Sequence, residues 1–251
     1  MNTVALESLL KSQAGVWRGS DRYNDAQSVS TGFSELDAAL PSRGWANGCL
    51  TELLVGHHGL GEFSLLLPAI KQLTQQAQWV ALIKPPFIPY APALGNAGVQ
   101  LEHMLVVNPP DDKSALWASE QCLRSGVFAG VITWVKRSTP QKQRRLQIAA
   151  ETGGSIAIMY RPNTTRSEHS PAALRITLQQ NLSAGQLMLN IIKVRNGKPK
   201  TVELGLHAFD QPQGVAWPGM PHPHTSAETN TLSLHELALA AVMPAAIPTQ
   251  R

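Results

Sequence analysis

Three glycines follow an apolar segment at a spacing that could wrap a phosphate group. Gly56, Gly59 and Gly61 come after the segment CLTELLV, and an apolar helical pattern follows them. A phosphate loop uses such glycines so that its backbone N–H groups converge on the anion at a helix N-terminus. It also needs a Lys for the β- and γ-phosphates and a Ser or Thr hydroxyl for Mg²⁺. At those two positions this chain has Glu62 and Phe63.

Glu62 and Phe63 both oppose nucleotide binding. A carboxylate at the Lys position would repel a triphosphate, and a phenyl ring has no oxygen that could ligate a metal. We therefore predict a degenerate phosphate loop that serves as a tight turn between strand and helix, with no bound cofactor. The alternative is a residual or altered nucleotide site. If the turn handles no triphosphate, Glu62→Ala should leave stability and function almost unchanged.

The segments around this turn predict the fold class. Continuous apolar strands are expected at 49–56, 78–84, 104–108, 130–135 and 155–160. Helical patterns fall between them at 61–77, about 114–125 and 139–151. Such strands joined by helices are typical of a parallel sheet covered on both faces. Alternating segments at 173–180, 186–195 and 200–207 predict an antiparallel meander. The expected fold is α/β, with a mostly parallel sheet and an antiparallel C-terminal extension.

Composition excludes several classes of protein. The chain has 251 residues, and its two cysteines form neither a disulfide framework nor a CxxC motif, which fits a cytoplasmic location. No apolar run approaches the ~20 residues of a membrane helix, so we expect no membrane partner. His57 and His58 are adjacent but have no third ligand at a suitable spacing, so no metal site is predicted.

Three regions are expected along the chain. Residues 1–27 would form an N-terminal helix and linker, 28–208 a single domain, and 209–251 a flexible tail with a helix near 232–243. Apolar residues of the N-terminal helix are candidates for protein docking, against a partner, a second copy or the chain's own core. These residues are Leu6, Leu9, Leu10 and Trp17.

Positive charge is concentrated in one part of the chain. Residues 124–200 contain 13 Lys or Arg and 2 Asp or Glu, whereas the whole chain has a net charge of only +4. This imbalance indicates an acidic partner such as nucleic acid or an acidic protein surface, and a solvated basic face is the alternative. The candidate contact residues are Lys136, Arg137, Lys142, Arg144, Arg145, Arg161, Arg166, Arg175, Lys193 and Arg195.

The stretch TGFSELDAALPSRGWANGCLTELLVGHHGLGEF, which begins at Thr31, resembles the entry to a RecA-type ATPase core. The similarity extends over roughly 28–207 and implies a RecA-like core. The catalytic parts of that family are missing. Its glutamate position falls near Pro85 and Pro86, its Walker B aspartate at about Trp134, and its γ-phosphate sensor near Tyr160 and Arg161. The chain is therefore expected not to be an enzyme, with degenerate Walker A and B motifs.

Two families combine such a core with lost catalysis. The span from GHHGLGEFSLLLPAIKQL to SIAIMYRP resembles SulA, the SOS inhibitor of cell division that binds FtsZ. The N-terminal VWRG, the TGF and ELDAALP segments and the continuation beyond residue 162 resemble ImuA, an SOS accessory protein of translesion synthesis. The main prediction is an ImuA-like adaptor. Its implied partners are an ImuB-like inactive Y-family polymerase and an error-prone DnaE-type polymerase, with RecA and DNA as further candidates. A SulA-like inhibitor of FtsZ is the alternative.

Overall fold

The computed structural model describes residues 27–59, 61–181 and 186–205. The strands are β1 (Ser28–Val29), β2 (Trp45–Ala46), β3 (Cys49–Val55), β4 (Trp79–Ile83), β5 (Met104–Val107), β6 (Phe128–Trp134), β7 (Ile156–Pro162), β8 (Leu174–Asn181), β9 (Gln186–Val194) and β10 (Lys200–Gly205). The α-helices are α1 (Ser34–Ala39), α2 (Leu67–Gln75), α3 (Ala91–Asn96), α4 (Asp112–Arg124) and α5 (Pro140–Gly153). Short 3₁₀ turns lie at Leu101–His103 and Asn163–Thr165.

Eight of these strands form one sheet in the order β10-β9-β8-β3-β7-β6-β4-β5. The six strands from β8 to β5 are mutually parallel, and β9 and β10 continue the sheet in antiparallel pairing. The separate pair β1–β2 is antiparallel. The predicted α/β class, with a mostly parallel sheet and an antiparallel C-terminal extension, is confirmed.

Helices cover both faces of the sheet. On one face, α1, α2 and α3 bury residues such as Leu36, Ile70 and Leu94 against one core cluster. On the other face, α4 and α5 bury Leu116 and Leu146 in a second cluster. Burial on both faces explains why the parallel strands have continuous apolar sequences rather than alternating ones.

The helix expected at 61–77 begins later than predicted. α2 starts at Leu67, and the preceding residues form tight turns in which the Leu66 N–H donates to the Phe63 carbonyl at 3.0 Å. Pro68 is an early residue of α2, where the missing N–H costs nothing. The periodicity of the sequence continues through both parts, so it does not reveal where the turns end and the helix begins.

Parts of the predicted organisation fall outside the described residues. The N-terminal segment (residues 1–26), with its docking candidates, and the tail from residue 206, with its helix near 232–243, are not described. The division of the chain at 28–208 therefore stays a prediction. In the part that the structure describes, no helix is long and apolar enough to cross a membrane.

Candidate protein-binding surface

The glycine turn after β3 is closed by its own carboxylate. Gly59 and Gly61 have positive φ angles of 90° and 81°, which favour glycine. The Gly59 N–H donates to both carboxylate oxygens of Glu62, at 3.1 Å each. His58 Nδ1 lies 3.5 Å from the same carboxylate, which is almost completely buried. The Gly59 N–H, which a phosphate loop would direct at a bound phosphate, is therefore already bonded to the Glu62 carboxylate.

Aromatic side chains fill the space next to this turn. The Tyr160 hydroxyl donates to the backbone carbonyl of Glu62, and the Tyr160 ring stacks on Trp134 with centroids 5.1 Å apart. The ring of Phe63 also lies near Trp134, tilted to it, with centroids 6.3 Å apart. Burial, followed by the charge of Glu62, raises the pKa of Tyr160 well above its usual value, so the phenol remains a neutral donor.

The loop after β4 presents large apolar side chains to solvent at the carboxyl edge of the sheet. Phe87, Ile88 and Tyr90 are 49%, 78% and 41% exposed. We call residues 84–90 the proline loop, because Pro85, Pro86 and Pro89 lie within it. Prolines fix φ, so this loop has fewer conformations to lose when it binds a partner.

A contact between two loops helps to position the proline loop. The rings of His58 and Phe87 meet edge to face, with centroids 6.2 Å apart. The glycine turn after β3 and the proline loop after β4 therefore form one surface. Both lie where the carboxyl ends of parallel strands meet, which is the usual place for binding sites in such sheets.

Asp112, at the start of α4, joins the proline loop to the turn after β6. One carboxylate oxygen accepts a bond from Lys84 Nζ at 2.6 Å. The other accepts the backbone N–H groups of Lys136 and Arg137 at 3.0 and 2.9 Å. Partial burial alone would raise the pKa of Asp112, but the Lys84 ammonium and these two N–H donors together lower it. The exposed residues Lys136 and Arg137 are thus held beside the proline loop.

Two of the predicted contact residues are buried instead. Arg161 and Arg175 are 2% and 6% exposed, on strands β7 and β8 that flank β3. Arg161 Nη1 donates to Glu52 Oε1 at 3.2 Å, and Arg175 Nε donates to Glu52 Oε2 at 2.6 Å. The expectation that these two arginines contact DNA or an acidic partner is wrong, because their guanidinium groups neutralise a carboxylate inside the fold.

The same arginines fix the loop after β7. Arg175 Nη atoms donate to the backbone carbonyls of Thr165, Arg166 and Glu168 at 3.1 to 3.2 Å. Arg161 Nη2 also donates to the half-exposed carboxylate of Glu168 at 2.8 Å. The buried ion cluster therefore has a structural role, which is to hold this loop over the ends of β7 and β8.

The remaining predicted cations lie on several elements rather than at one site. Arg144 and Arg145 are exposed on α5, where Arg145 pairs with Glu120 of α4 at 2.6 Å, and Lys142 is half-buried on the same helix. Arg166 is exposed in the loop after β7. Lys193 near the end of β9 and Arg195 just after it are also exposed, and Lys193 Nζ donates to the Ser170 carbonyl at 2.6 Å. Their contact with DNA or an acidic partner stays a prediction.

The described residues give little support for catalysis or metal binding. No group of three or more His, Cys, Asp or Glu side chains there could hold a metal ion. Burial, which outweighs the opposing effect of Arg195, raises the pKa of the Cys49 thiol to about 11, and burial also raises the pKa of Cys122. Both thiols are therefore protonated and poor nucleophiles at neutral pH.

Two features of the site were missed in the sequence. The segment KPPFIPY, in which aromatic and aliphatic residues stand between prolines, marks a rigid exposed loop. A single charged residue in the apolar segment LTELLV, Glu52, marks a buried ion pair. Its partners were not identifiable from the sequence, because they come from strands more than 100 residues away, separated by 109 and 123 positions.

Comparisons with known proteins point to SulA. Residues 48–157 match the family model described as "Cell division inhibitor SulA". The SulA of Edwardsiella piscicida is 32% identical over 98 residues, which are 39% of this chain and 58% of that protein. The SulA of Serratia marcescens is 26% identical over 119 residues, which are 47% of this chain and 71% of that protein. The crystal structure of SulA from Pseudomonas aeruginosa shares 28% identity and a TM-score of 0.39, over 45% of this chain and 97% of that one.

The family match and the named relatives correct the main functional prediction. The chain is similar to SulA over residues 48–157, and it spans 58% of the length of the Edwardsiella relative. The predicted ImuA-like role in translesion synthesis is wrong, as are the ImuB-like and DnaE-type polymerase partners, because the matched proteins are cell division inhibitors. The relatives are named as inhibitors, which agrees with the prediction that the chain is not an enzyme. The comparisons do not support degenerate Walker motifs.

Proposed function

We propose that this chain is a SulA-like, non-enzymatic inhibitor of cell division in the SOS response, which binds FtsZ in the cytoplasm. The observation that carries the proposal is the exposed cluster Phe87, Ile88 and Tyr90 on the proline loop. This loop lies inside residues 48–157, the part of the chain that matches the SulA family model. An inhibitor that works by binding needs an exposed, preorganised surface and no catalytic groups.

The energetics of the proline loop suit a protein interface. Burying one large apolar side chain contributes about 1.5–3 kcal/mol, and a few such residues dominate most interfaces. Phe87, Ile88 and Tyr90 stand close together in sequence on a loop whose backbone is restricted by three prolines. Little ordering entropy is then lost on binding, so more of the burial energy contributes to affinity.

The charges at the rim indicate the character of the partner surface. Lys136 and Arg137 are exposed and are fixed next to the proline loop by their backbone bonds to Asp112. We expect the matching surface of FtsZ to carry an apolar patch bordered by carboxylates. Such charges at a rim mainly raise the association rate and make it sensitive to salt.

The core supports a related proposal about ancestry. Six parallel strands, crossover helices and a glycine turn after the central strand β3 are features of a RecA-like core. Glu62 fills the glycine turn in place of a phosphate. We propose that this is a RecA-like core in which nucleotide binding has been replaced by protein binding.

A polymerisation assay tests the function. Purified FtsZ with GTP is followed by light scattering, with this chain added at equimolar concentration. We expect polymer formation to fall, and the double variant Phe87→Ala/Ile88→Ala to lose about tenfold or more in affinity. The matched control is Val127→Ala. Val127 is 59% exposed and lies just before β6, at the amino ends of the parallel strands, whereas the proline loop lies at their carboxyl ends.

Two results would overturn the proposal in different ways. If the unmodified chain leaves FtsZ assembly unchanged at equimolar concentration, the function is wrong. If it inhibits assembly but the double variant inhibits equally well, the function stands and the proline loop is not the binding surface.

A further inference from the structure

The outer surface of the α4–α5 helix pair leaves two large apolar side chains exposed. Trp117 of α4 is 63% exposed, which makes it the most exposed tryptophan among the described residues, and Ile148 of α5 is 42% exposed. The two helices cover the same face of the sheet and connect successive parallel strands, so they run side by side in the same direction. Nothing in the described part of the chain covers this outer surface.

An ion pair defines how these two apolar residues are placed. Arg145 Nη2 of α5 lies 2.6 Å from Glu120 Oε2 of α4. Trp117 precedes Glu120 by about one turn, and Ile148 follows Arg145 by about one turn. Their levels along the helix axes therefore differ by about 9 Å. A helix of 15 residues is longer than this offset.

The chain leaves the described region at the start of β3, near α5. The Gln27 carbonyl accepts the Asn47 N–H at 2.8 Å, so the first described residue lies next to the start of β3. The carbonyl of the following residue, Gly48, accepts a bond from Gln147 Nε2 of α5 at 2.9 Å. Ile148 is the next residue on that helix. The N-terminal segment is therefore attached close to one of the two exposed apolar side chains.

The N-terminal segment also has the length and the pattern to cover this surface. Leu6, Leu9 and Leu10 have the i, i+3, i+4 spacing that places apolar side chains on one face of a helix. A helix over 4–18 would be about 22 Å long, and the 14 residues of α5 span about 21 Å. The linker 19–26 can reach up to about 26 Å when extended, which exceeds the length of α5.

We propose that the N-terminal segment of the same chain docks on the outer surface of α4 and α5. Leu6, Leu9 and Leu10 pack against Trp117 and Ile148. This arrangement differs from docking on a partner protein, and it does not depend on the proposed binding of FtsZ. It also buries apolar side chains on both sides that would otherwise face water.

Cross-linking within the full-length chain tests the proposal. Ser12→Cys, which an ideal helix places about 60° round the axis from Leu9, is combined with Arg144→Cys on the exposed side of α5, in a Cys122→Ser background that keeps the buried Cys49. The matched control pairs Ser12→Cys with Arg43→Cys. Arg43 is exposed and follows Ser42, whose carbonyl accepts a bond from Ser28 near the same exit point, but it is not on α4 or α5. The probe is a short bismaleimide, and products are separated by mass after denaturation.

We expect a cross-link within one chain for the Arg144→Cys pair, at several times the yield of the Arg43→Cys pair. Adding Leu6→Ser and Leu10→Ser, or Trp117→Ser and Ile148→Ser, should reduce the yield to that of the control pair. Equal yields for the two pairs overturn the proposal. Cross-links found only between two chains also overturn it, because the segment then docks on a second copy.

Discussion

At the scale of single residues, Glu62 stabilises the glycine turn through its own hydrogen bonds, and it does more than replace the Lys of a phosphate loop. Its carboxylate accepts the Gly59 N–H, and its backbone carbonyl accepts the Tyr160 hydroxyl. The expectation that Glu62→Ala leaves stability almost unchanged is therefore replaced by an expected loss of stability. Removing the carboxylate leaves a partly buried N–H without its acceptor, which carries a desolvation cost.

We expect Glu62→Ala to lower the free energy of unfolding by about 1–2 kcal/mol. Glu62→Gln should cost less, because its amide oxygen can still accept one bond from Gly59. Urea denaturation followed by circular dichroism measures both variants. A midpoint for Glu62→Ala equal to that of the unmodified chain would show that the carboxylate does not stabilise the turn.

The buried cluster around Glu52 allows a sharper comparison between two carboxylates that bind the same arginine. Glu52 is fully buried, whereas the Glu168 side chain is 51% exposed, and both accept bonds from Arg161. We expect Glu52→Gln to cost about 3–5 kcal/mol, because it leaves the buried Arg175 guanidinium without a countercharge and Arg161 with only the half-exposed Glu168. Glu168→Gln should cost less than about 1 kcal/mol. Urea denaturation measures the free energy of unfolding of both variants. Similar losses for Glu52→Gln and Glu168→Gln would show that the buried carboxylate is no more important to stability than the half-exposed one.

At the scale of elements, Asp112 links β4, α4 and the turn after β6, and its effect should depend on pH. Lys84 and two backbone N–H groups lower the pKa of Asp112 against the opposing effect of burial. A carboxylate with a lowered folded-state pKa stabilises the protein above its unfolded-state pKa of about 3.9. This stability is lost as the pH falls through the folded-state value.

We expect Asp112→Asn to reduce the free energy of unfolding by about 1–2 kcal/mol at neutral pH. The difference from the unmodified chain should remain constant down to about pH 5 and shrink below about pH 4. Urea denaturation over this pH range measures it. A difference that does not change with pH would mean that the charge of Asp112 has no part in the contact.

The proline loop gives a prediction about binding that is separate from folding. Replacing Pro85 and Pro86 with alanine increases the number of loop conformations while Phe87 and Ile88 remain present. Each proline is expected to contribute about 0.4–1 kcal/mol through conformational entropy, so affinity for FtsZ should fall by about 4- to 30-fold. Isothermal calorimetry measures the affinity. Unchanged affinity would mean that the prolines do not preorganise the surface.

At the scale of the whole molecule, the two edges of the sheet differ. The outer strand β10 carries the exposed charges Lys200 and Glu203, whereas β5 has only apolar residues, of which Leu105 and Val106 are exposed. Uncharged apolar edge strands promote aggregation, and a lysine there opposes it. We expect Val106→Lys to slow aggregation on heating, as measured by light scattering. Thr201→Lys on β10 is the control and should have little effect.

The sequence by itself determined the positions along the chain and the approximate limits of all eight strands of the main sheet, but not their order in the sheet. Continuous apolar runs mark β3 to β7, and alternation marks β8 to β10, because side-chain burial follows directly from the face that each residue occupies. Local sequence also favours the start of α5, where the Thr139 hydroxyl accepts the Lys142 N–H and Pro140 follows. These features depend on neighbours within a few positions.

Only the tertiary structure decided which charged and apolar residues are exposed. Arg137 and Arg161 are both cations that follow or end an apolar strand, yet one faces solvent and the other neutralises Glu52. Phe63 and Phe87 are both phenylalanines in loops, yet one packs against Trp134 and the other lies on the surface. The sequence cannot separate these pairs, because exposure depends on partners that lie far away in the chain and are brought together only by the register of neighbouring strands.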